Sequence, residues 1–124
     1  MAFVPQTFTY SKTIITPEDA HTVIADIPLL DIDATWAPGG ITIIKAGLKT
    51  DADSTYSVTF QAWTTSDTST SDRDTLSTVA TSSSAAADSG AITQNVDTDE
   101  IVFLGLPATT GSNFIEVWFT YILR

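Results

Sequence analysis

The last twelve residues of the chain, 113–124, form its most apolar and aromatic run. They fall into two sets, because successive side chains of a β-strand point to opposite faces. The wholly apolar set comprises Ile115, Val117, Phe119, Tyr121 and Leu123. The other set comprises Phe114, Trp118 and Ile122, with Glu116 and Thr120 among them. The pattern predicts a strand in the middle of a sheet, packed on both faces.

Six further segments alternate or run hydrophobic over the length of a strand. They are residues 8–15, 21–33, 40–48, 54–65, 91–96 and 100–106. Proline cannot donate to a strand ladder, so Pro28 predicts that the second strand lies at a sheet edge or carries a bulge. Residues such as Pro38, Gly39 and Gly40 mark the turns between segments.

Residues 66–90 differ in character from the rest of the chain. Ser, Thr, Asp and Ala dominate there, and such a composition buries too little apolar area to offset much ordering entropy. The segment is predicted to be a long exposed loop. Within it, the sequence leaves undecided whether residues 75–81 form a short strand or a helical turn.

Short strands at spacings of about ten residues, separated by Gly and Pro turns, predict an all-β fold. The expected architecture is a two-sheet β-sandwich of seven or eight strands, with a jelly roll favoured. Periodicity does not fix strand order, so an immunoglobulin-like sandwich stays open. The length of 124 residues suits one domain over 1–124, with residues 1–7 as a possible N-terminal arm.

The charge balance restricts the partners that the chain can take. Fifteen acidic residues face only five basic ones, for a formal net charge of -10. Nucleic acid and anionic membrane surfaces are therefore not expected partners, since both require a basic surface. There is no cysteine, which excludes disulfides. The first residues lack the features of a signal peptide, so synthesis in the cytoplasm is expected.

Acidic residues are the first candidates for chemistry. Asp97, Asp99 and Glu100 place three carboxylates within four residues, which makes them the best calcium candidates because calcium prefers oxygen ligands. The alternative is that these acids stabilise a turn, since Asp side chains accept hydrogen bonds from nearby backbone amides. No cofactor other than calcium is suggested. His21 is the only histidine and no nucleophile motif accompanies it, so no enzyme activity and no catalytic residue are expected.

Aromatic residues are the second set of candidates. Trp36 lies in a Pro/Gly turn and Trp63 on the polar parity of a predicted strand. Both could anchor a partner, because tryptophan dominates interface energetics, or both could cap the ends of the core. Phe3, Val4 and Phe8 could likewise dock on a neighbouring molecule or pack on the base of the sandwich.

A resemblance emerges from these features together. A short, acidic, Ser/Thr/Ala/Asp-rich all-β chain without cysteine or signal peptide resembles structural proteins of tailed-bacteriophage particles. The N-terminal Ala-Phe-Val-Pro-Gln-Thr-Phe segment and the closing Phe-Ile-Glu-Val-Trp-Phe-Thr-Tyr-Ile-Leu strand are similar in style to small head-decoration (cement) proteins with jelly-roll folds. The resemblance implies location in the virion, the major capsid protein as partner, and a homo-oligomer, commonly a trimer. It carries over no functional residue.

Three hypotheses follow for the function. The leading one is a non-enzymatic decoration protein that stabilises the assembled phage head. The alternative is a carbohydrate- or receptor-binding module of a tail fibre or spike, with Trp36 and Trp63 as stacking platforms. A third is a tail-tube or connector component, which would form rings or tubes on its own.

Overall fold

A computed structural model of the chain describes residues 6–15, 25–50, 56–64, 74–81, 86–106 and 114–124. Nine strands make up this part: β1 Thr7–Ile15, β2 Ala25–Asp31, β3 Ile41–Thr50, β4 Tyr56–Thr64, β5 Asp74–Thr81, β6 Ala87–Asp88, β7 Gln94–Val96, β8 Glu100–Leu106 and β9 Phe114–Leu123. None of the described residues forms a helix that is long and apolar enough to cross a membrane.

The strands form two antiparallel sheets. One has the order β1-β9-β3-β6, with β7 also paired to β3, and the other has the order β2-β8-β4-β5. If β6 and β7 are counted as one interrupted strand, the first strand pairs with the last, the second with the last but one, and so on inward to β4 with β5. This nesting is the strand order of a jelly roll. The predicted two-sheet β-sandwich is confirmed, and the immunoglobulin-like alternative is excluded.

The core lies between the two sheets. The inward side chains of β3 and β9 pack against those of β4 and β8, and the rings of Phe60 and Phe119 meet edge to face across the sandwich at a centroid distance of 6.3 Å. The largest fully buried side chains are Phe60, Phe119, Ile32, Ile41, Ile43, Leu48, Leu104, Ile115, Val58, Val96 and Val102. Hydrophobic residues of six described strands, β3, β4, β5, β7, β8 and β9, therefore supply most of the interior, largely at alternate positions as strand periodicity requires.

Two predictions about individual strands are confirmed. β9 lies between β1 and β3, so the hydrophobic terminal run is central in its sheet. β2 lies at a sheet edge, and its register with β8 shifts between Pro28 and Leu30. The proline thus takes a position where a missing donor is tolerated.

One prediction about β9 needs correction, and a possibility left open for residues 66–90 is decided. Only one face of β9 is covered within the described residues: Ile115, Val117 and Phe119 are buried, whereas Glu116 is exposed and Trp118 is half-buried. Within residues 66–90, where the sequence leaves a short strand or a helical turn over 75–81 open, the structure has a strand, β5 at Asp74–Thr81. Leu76 and Val79 are buried there, and their apolar contacts supply the stabilisation that composition alone did not suggest. The other residues of 66–90 are described only from 86 onward.

One end of the sandwich is well defined by hydrogen bonds. The loop between β2 and β3 is joined to the turn between β7 and β8, because Asp99 donates its amide to the Ile32 carbonyl at 2.6 Å. The C-terminal residue joins the same end, since the Arg124 amide donates to the Gly40 carbonyl at 3.0 Å. Gly40 has a φ of 81°, a left-handed conformation that favours glycine.

Candidate functional site

Tyr121 organises the aromatic residues at the defined end of the sandwich. The Phe8 ring stacks on Tyr121 with a centroid distance of 5.5 Å, and Trp36 meets the same ring edge-on at 6.2 Å. Two of the predicted partner-binding residues are thus brought together by a third aromatic that the sequence had assigned only to the core-facing set. All three rings are half-buried.

The position of Trp36 is set by a turn that begins at Asp33. The Asp33 carboxylate accepts a hydrogen bond from the Thr35 amide at 2.8 Å, and the Asp33 carbonyl accepts from the amides of Trp36 and Ala37 at 3.2 and 2.8 Å. Donation by the Thr35 backbone amide, and secondly by its side chain, holds the pKa of Asp33 below its ordinary value. Ala37 at the end of this turn is buried, and Trp36 beside it packs against the core.

Trp36 therefore covers the end of the core, which is one of its two predicted roles. Contact of Trp36 or Phe8 with a partner stays a prediction. Phe3 and Val4 lie outside the described residues. Trp63 lies in β4 opposite Ile101 of β8, and its side chain is outside the described part of the chain.

The three calcium candidates lie in the turn between β7 and β8. Asp97 contacts the Arg124 guanidinium at 2.9 Å, and a Glu100 carboxylate oxygen accepts from the Asp97 amide at 2.9 Å. Asp99 has a φ of 72°, which an Asp tolerates in a tight turn. Two of the three carboxylates thus have partners within the protein. No group of three or more potential metal-ligating side chains occurs among the described residues, so calcium binding stays a prediction without geometric support.

The outward side of the five-stranded sheet is a surface that the sequence did not mark. Trp118 lies at its centre, flat against Gly47 of the neighbouring strand, since a Cβ atom at Gly47 would overlap the indole ring. The strand register places hydroxyl side chains of β1 on one flank of Trp118 and two lysines of β3 on the other. We call this surface the Trp118 face. Its residues are Thr7, Thr9, Ser11, Thr13, Thr42, Lys45, Gly47, Lys49, Asp88, Asn95, Glu116, Trp118, Thr120 and Ile122.

Electrostatically, the Trp118 face differs from the chain as a whole. Lys45 and Lys49 balance Glu116 and Asp88 on it, so the face carries no formal net charge in a chain of net charge -10. Polar partners across its strands are matched: Thr42 donates to Asn95 at 2.8 Å, and the Thr9 and Thr120 hydroxyls lie 3.4 Å apart. The face is therefore flat, neutral and centred on a tryptophan.

An open groove of about 520 Å³ adjoins this face. The register of β3 with β9 shifts between Ile43 and Lys45, and the segment after β6 follows β3 there, with the Ile92 amide donating to the Ile44 carbonyl at 2.9 Å. The groove is lined by Ile44, Lys45, Gly90, Ala91, Ile92 and Thr120. The bulge that reshapes β3 thus adds an apolar recess to the Trp118 face.

The sequence signal that could have identified the Trp118 face is weak but present. Strand parity separates Trp118 from the buried set of β9, and Lys45 and Lys49 interrupt an otherwise apolar run. What parity cannot tell is whether the second apolar set of a central strand is covered by another layer or faces outward. Only the order of the two sheets decides that.

Comparison with known proteins rests on structure alone. No protein-family model and no curated protein sequence matches the chain. A chain in the acidic stable capsid structure of Helicobacter pylori bacteriophage KHP30 is similar in fold, with a TM-score of 0.59 and 11% sequence identity over 97% of this chain and 90% of that one. The structure of Eiger TNF from S. frugiperda gives a TM-score of 0.48 at 11% identity, over 98% of this chain and 94% of that one.

The similarity to a chain of a phage capsid structure bears on the resemblance to phage structural proteins that the sequence indicated. The chain is a jelly-roll β-sandwich, and nearly its full length shares this architecture with a chain found in a phage capsid structure. The expected resemblance to phage structural proteins is confirmed at the level of the fold. At this identity the likeness carries over the architecture and no residue roles.

Proposed function

We propose that the chain is a non-enzymatic structural protein of a bacteriophage particle, and specifically a head-decoration protein that binds the assembled shell. The observation that carries the proposal is the jelly roll shared, over 97% of this chain, with a chain of a phage capsid structure. The major capsid protein is the proposed partner and the virion the proposed location.

The Trp118 face is the surface we assign to shell binding. Interfaces draw most of their energy from a few aromatic and cationic anchors at the centre of a patch, and this face offers a flat indole with Lys45 and Lys49 on one flank. Its lack of net charge allows approach to an acidic surface of a shell, from which the rest of the chain would be repelled. The adjoining groove at Ile44 and Ile92 could accept an apolar side chain of the shell.

The test is binding of the purified full-length chain to heads assembled without it, measured by co-sedimentation. Decorated heads should also lose their DNA at a higher temperature than undecorated heads, because a ligand of the assembled state stabilises that state. Heads that neither retain the chain nor gain thermal stability would contradict the proposal. Replacement of Trp118 by Ala should weaken retention, while Trp36→Phe, which keeps a ring against Tyr121, should not.

The position of Trp118 also favours a second candidate, a carbohydrate-binding module. An indole that lies flat on a sheet among hydroxyl side chains leaves one ring face available for stacking on a sugar. Trp36 is a poorer platform than expected because its ring contacts Tyr121. Glycan-array binding by the wild type that is lost in Trp118→Ala would support this function over the first, and an array without hits would exclude it for the glycans displayed.

A further inference from the structure

The two sheets have four edges, and the edge formed by β1 is unlike the other three. A sheet edge presents unpaired backbone donors and acceptors that can pair with another strand. Proteins that remain monomeric usually obstruct such edges with prolines, bulges, charges or very short strands. The strand register and the sequence show which edges of this protein carry one of these obstructions.

Three edges are obstructed. β2 contains Pro28 and a register shift, and β5 has a register shift beside Leu76 and begins at Asp74. The edge of the five-stranded sheet opposite β1 is split into two short strands, β6 of two residues and β7 of three. Each of these edges also carries at least one acidic residue, at Asp31, Asp74 or Asp88.

β1 lacks almost all of these features. Its nine residues pair one to one with β9 and show no register shift, and they include no proline, glycine or acid. Among the described residues, β9 is the only strand paired with β1. Five residues of β1 share the outward parity of Trp118: the four hydroxylic residues Thr7, Thr9, Ser11 and Thr13, and Ile15 at the end of the strand.

We infer that this edge is a self-association surface, at which β1 of one chain pairs antiparallel with β1 of a second copy. The two five-stranded sheets then form one continuous sheet. Electrostatics favour a second copy at this edge over any other edge, because two chains of net charge -10 repel each other. Among the described strands, the β1 edge is the one edge of the four that brings no acid to the contact. Hydroxyl pairs across strands already occur within the described strands, at Thr9–Thr120 and Thr59–Thr78.

The side chains of β1 also suit a pairing with themselves. Two identical antiparallel strands are related by a two-fold axis, and an axis at Ser11 aligns all nine residues. Thr9 then lies opposite Thr13 of the second copy, so hydroxyl faces hydroxyl.

Lys12 is the one residue of β1 that would discourage an apolar partner strand. It shares the inward parity of Val117, and an inward-pointing lysine at an edge opposes pairing with an apolar residue. With the axis at Ser11, Lys12 lies opposite Tyr10 of the second copy, whose ring can accept a cation. The two Lys12 side chains are kept apart, so the same residue that excludes other strands is accommodated in the self-pair.

This inference goes beyond the proposed function and concerns the homo-oligomer that the resemblance implies, for which it specifies a two-fold dimer in place of a trimer. The decoration role and the β1 pairing can be refuted independently of each other. A dimer that does not bind heads would refute the decoration role alone, and a monomer or trimer that binds heads would refute the β1 pairing alone.

Sedimentation equilibrium of the full-length chain tests the pairing directly. The wild type should sediment with twice the 13.2 kDa of one chain. In Ser11→Glu, two carboxylates meet at the axis, and dimerisation should weaken by about tenfold or more. The matched control is Thr78→Glu, an equally exposed hydroxyl on the obstructed β5 edge, which should stay dimeric. A mixture of Ser11→Glu and Ser11→Lys chains should dimerise again, since opposite charges then meet.

Cross-linking provides a second readout. The chain has no cysteine, so Ser11→Cys should form a covalent dimer on mild oxidation, whereas Thr78→Cys should remain monomeric on a denaturing gel. A wild-type mass of one or three chains, an unchanged mass in Ser11→Glu, or equal cross-linking of the two cysteine variants would each overturn the inference.

Discussion

Glycine at position 47 determines how Trp118 lies on the sheet. Because Gly47 has no Cβ, the indole rests directly on the backbone of β3. A tryptophan at this parity of β9 with any other residue opposite it would stand away from the sheet. The flat platform at the centre of the Trp118 face therefore depends on a pair of residues in two strands.

We expect Gly47→Ala to displace the indole rather than the backbone, because a half-buried ring can rotate toward solvent. The unfolding free energy should fall by about 1–3 kcal/mol, the usual range for overpacking, and tryptophan fluorescence should shift to the red. Gly105→Ala is the matched control, since the nearest heavy atom to its Cβ would lie 3.6 Å away. If the red shift persists in a Trp118→Phe background, the displaced ring is not Trp118.

Part of the pH dependence of stability can be assigned to Asp33. Its folded-state pKa lies below the ordinary value of 3.8, chiefly because the Thr35 amide donates to the carboxylate. The ionised form is therefore favoured by folding. This contribution is fully present above the unfolded pKa and is lost as pH falls through the lowered folded pKa.

In Asp33→Asn, the acid-induced decrease in the thermal unfolding midpoint should become shallower in that pH window, because an amide oxygen can still accept from Thr35 but does not titrate. Asp33→Ala should lower the midpoint at neutral pH as well, since the turn loses its acceptor. Unfolding scans from neutral to acidic pH measure both effects. An unchanged acid profile in Asp33→Asn would mean that the hydrogen bond does not perturb this carboxyl.

β9 shows what periodicity predicts about an element and where periodicity ends. Its buried set and its central place follow from the sequence, since an acid-poor, aromatic strand requires neighbours on both sides. β5 is the opposite case. Its Ser- and Thr-rich composition leaves a short strand only as one possibility, but Leu76 and Val79 are spaced so that a bulge lets both contact the core. Local composition does not include that tertiary contribution.

Removal of residues 119–124 should unfold the domain. It takes away Phe119, which is fully buried and whose loss alone is of the order of 3–5 kcal/mol. It also removes the ladder to Thr7–Tyr10 of β1 and to the first half of β3. Such losses rival the total stability of about 5–15 kcal/mol that domains usually have.

Circular dichroism and thermal unfolding measure the result of the truncation. Removal of Arg124 alone is the control, because the exposed pair with Asp97 contributes only about 0–1 kcal/mol. If the chain without residues 119–124 keeps a cooperative unfolding transition, β9 does not have the central role assigned to it.

For the whole molecule, the distribution of charge matters more than its total. A net charge of -10 makes copies repel one another over most of their surface. The Trp118 face, in contrast, is neutral, and Lys12 is the single charged residue of β1. Both proposed contact surfaces thus lie where the chain repels an acidic partner least. A uniform spread of acids would have left no such region.

Replacing Lys45 and Lys49 by Gln should weaken binding to heads by about tenfold, and more at low salt than at high salt, because the face then becomes acidic. The matched control is Thr75→Glu with Thr78→Glu on β5, which makes the net charge more negative by the same amount away from the face. Co-sedimentation with heads at two salt concentrations measures both variants. Equal weakening would show that total charge, and not the Trp118 face, governs binding.

The sequence by itself indicated most of the strands, the buried side of β9, the edge or bulge at Pro28, and the expectation that anionic partners such as nucleic acid are disfavoured. These follow from alternation, from the missing donor of proline and from charge counts, all of which act within a few residues. It also suggested Phe8 and Trp36 as surface anchors, but not that both pack on Tyr121.

Tertiary structure alone decided which strands are neighbours, and with that the jelly roll, the outward position of Trp118 on Gly47, and the unobstructed edge of β1. Each of these depends on pairing between residues that are far apart in the chain. Strand periodicity distinguishes only the two faces of a strand and does not identify the partner strand, so it cannot tell a covered face from an open one.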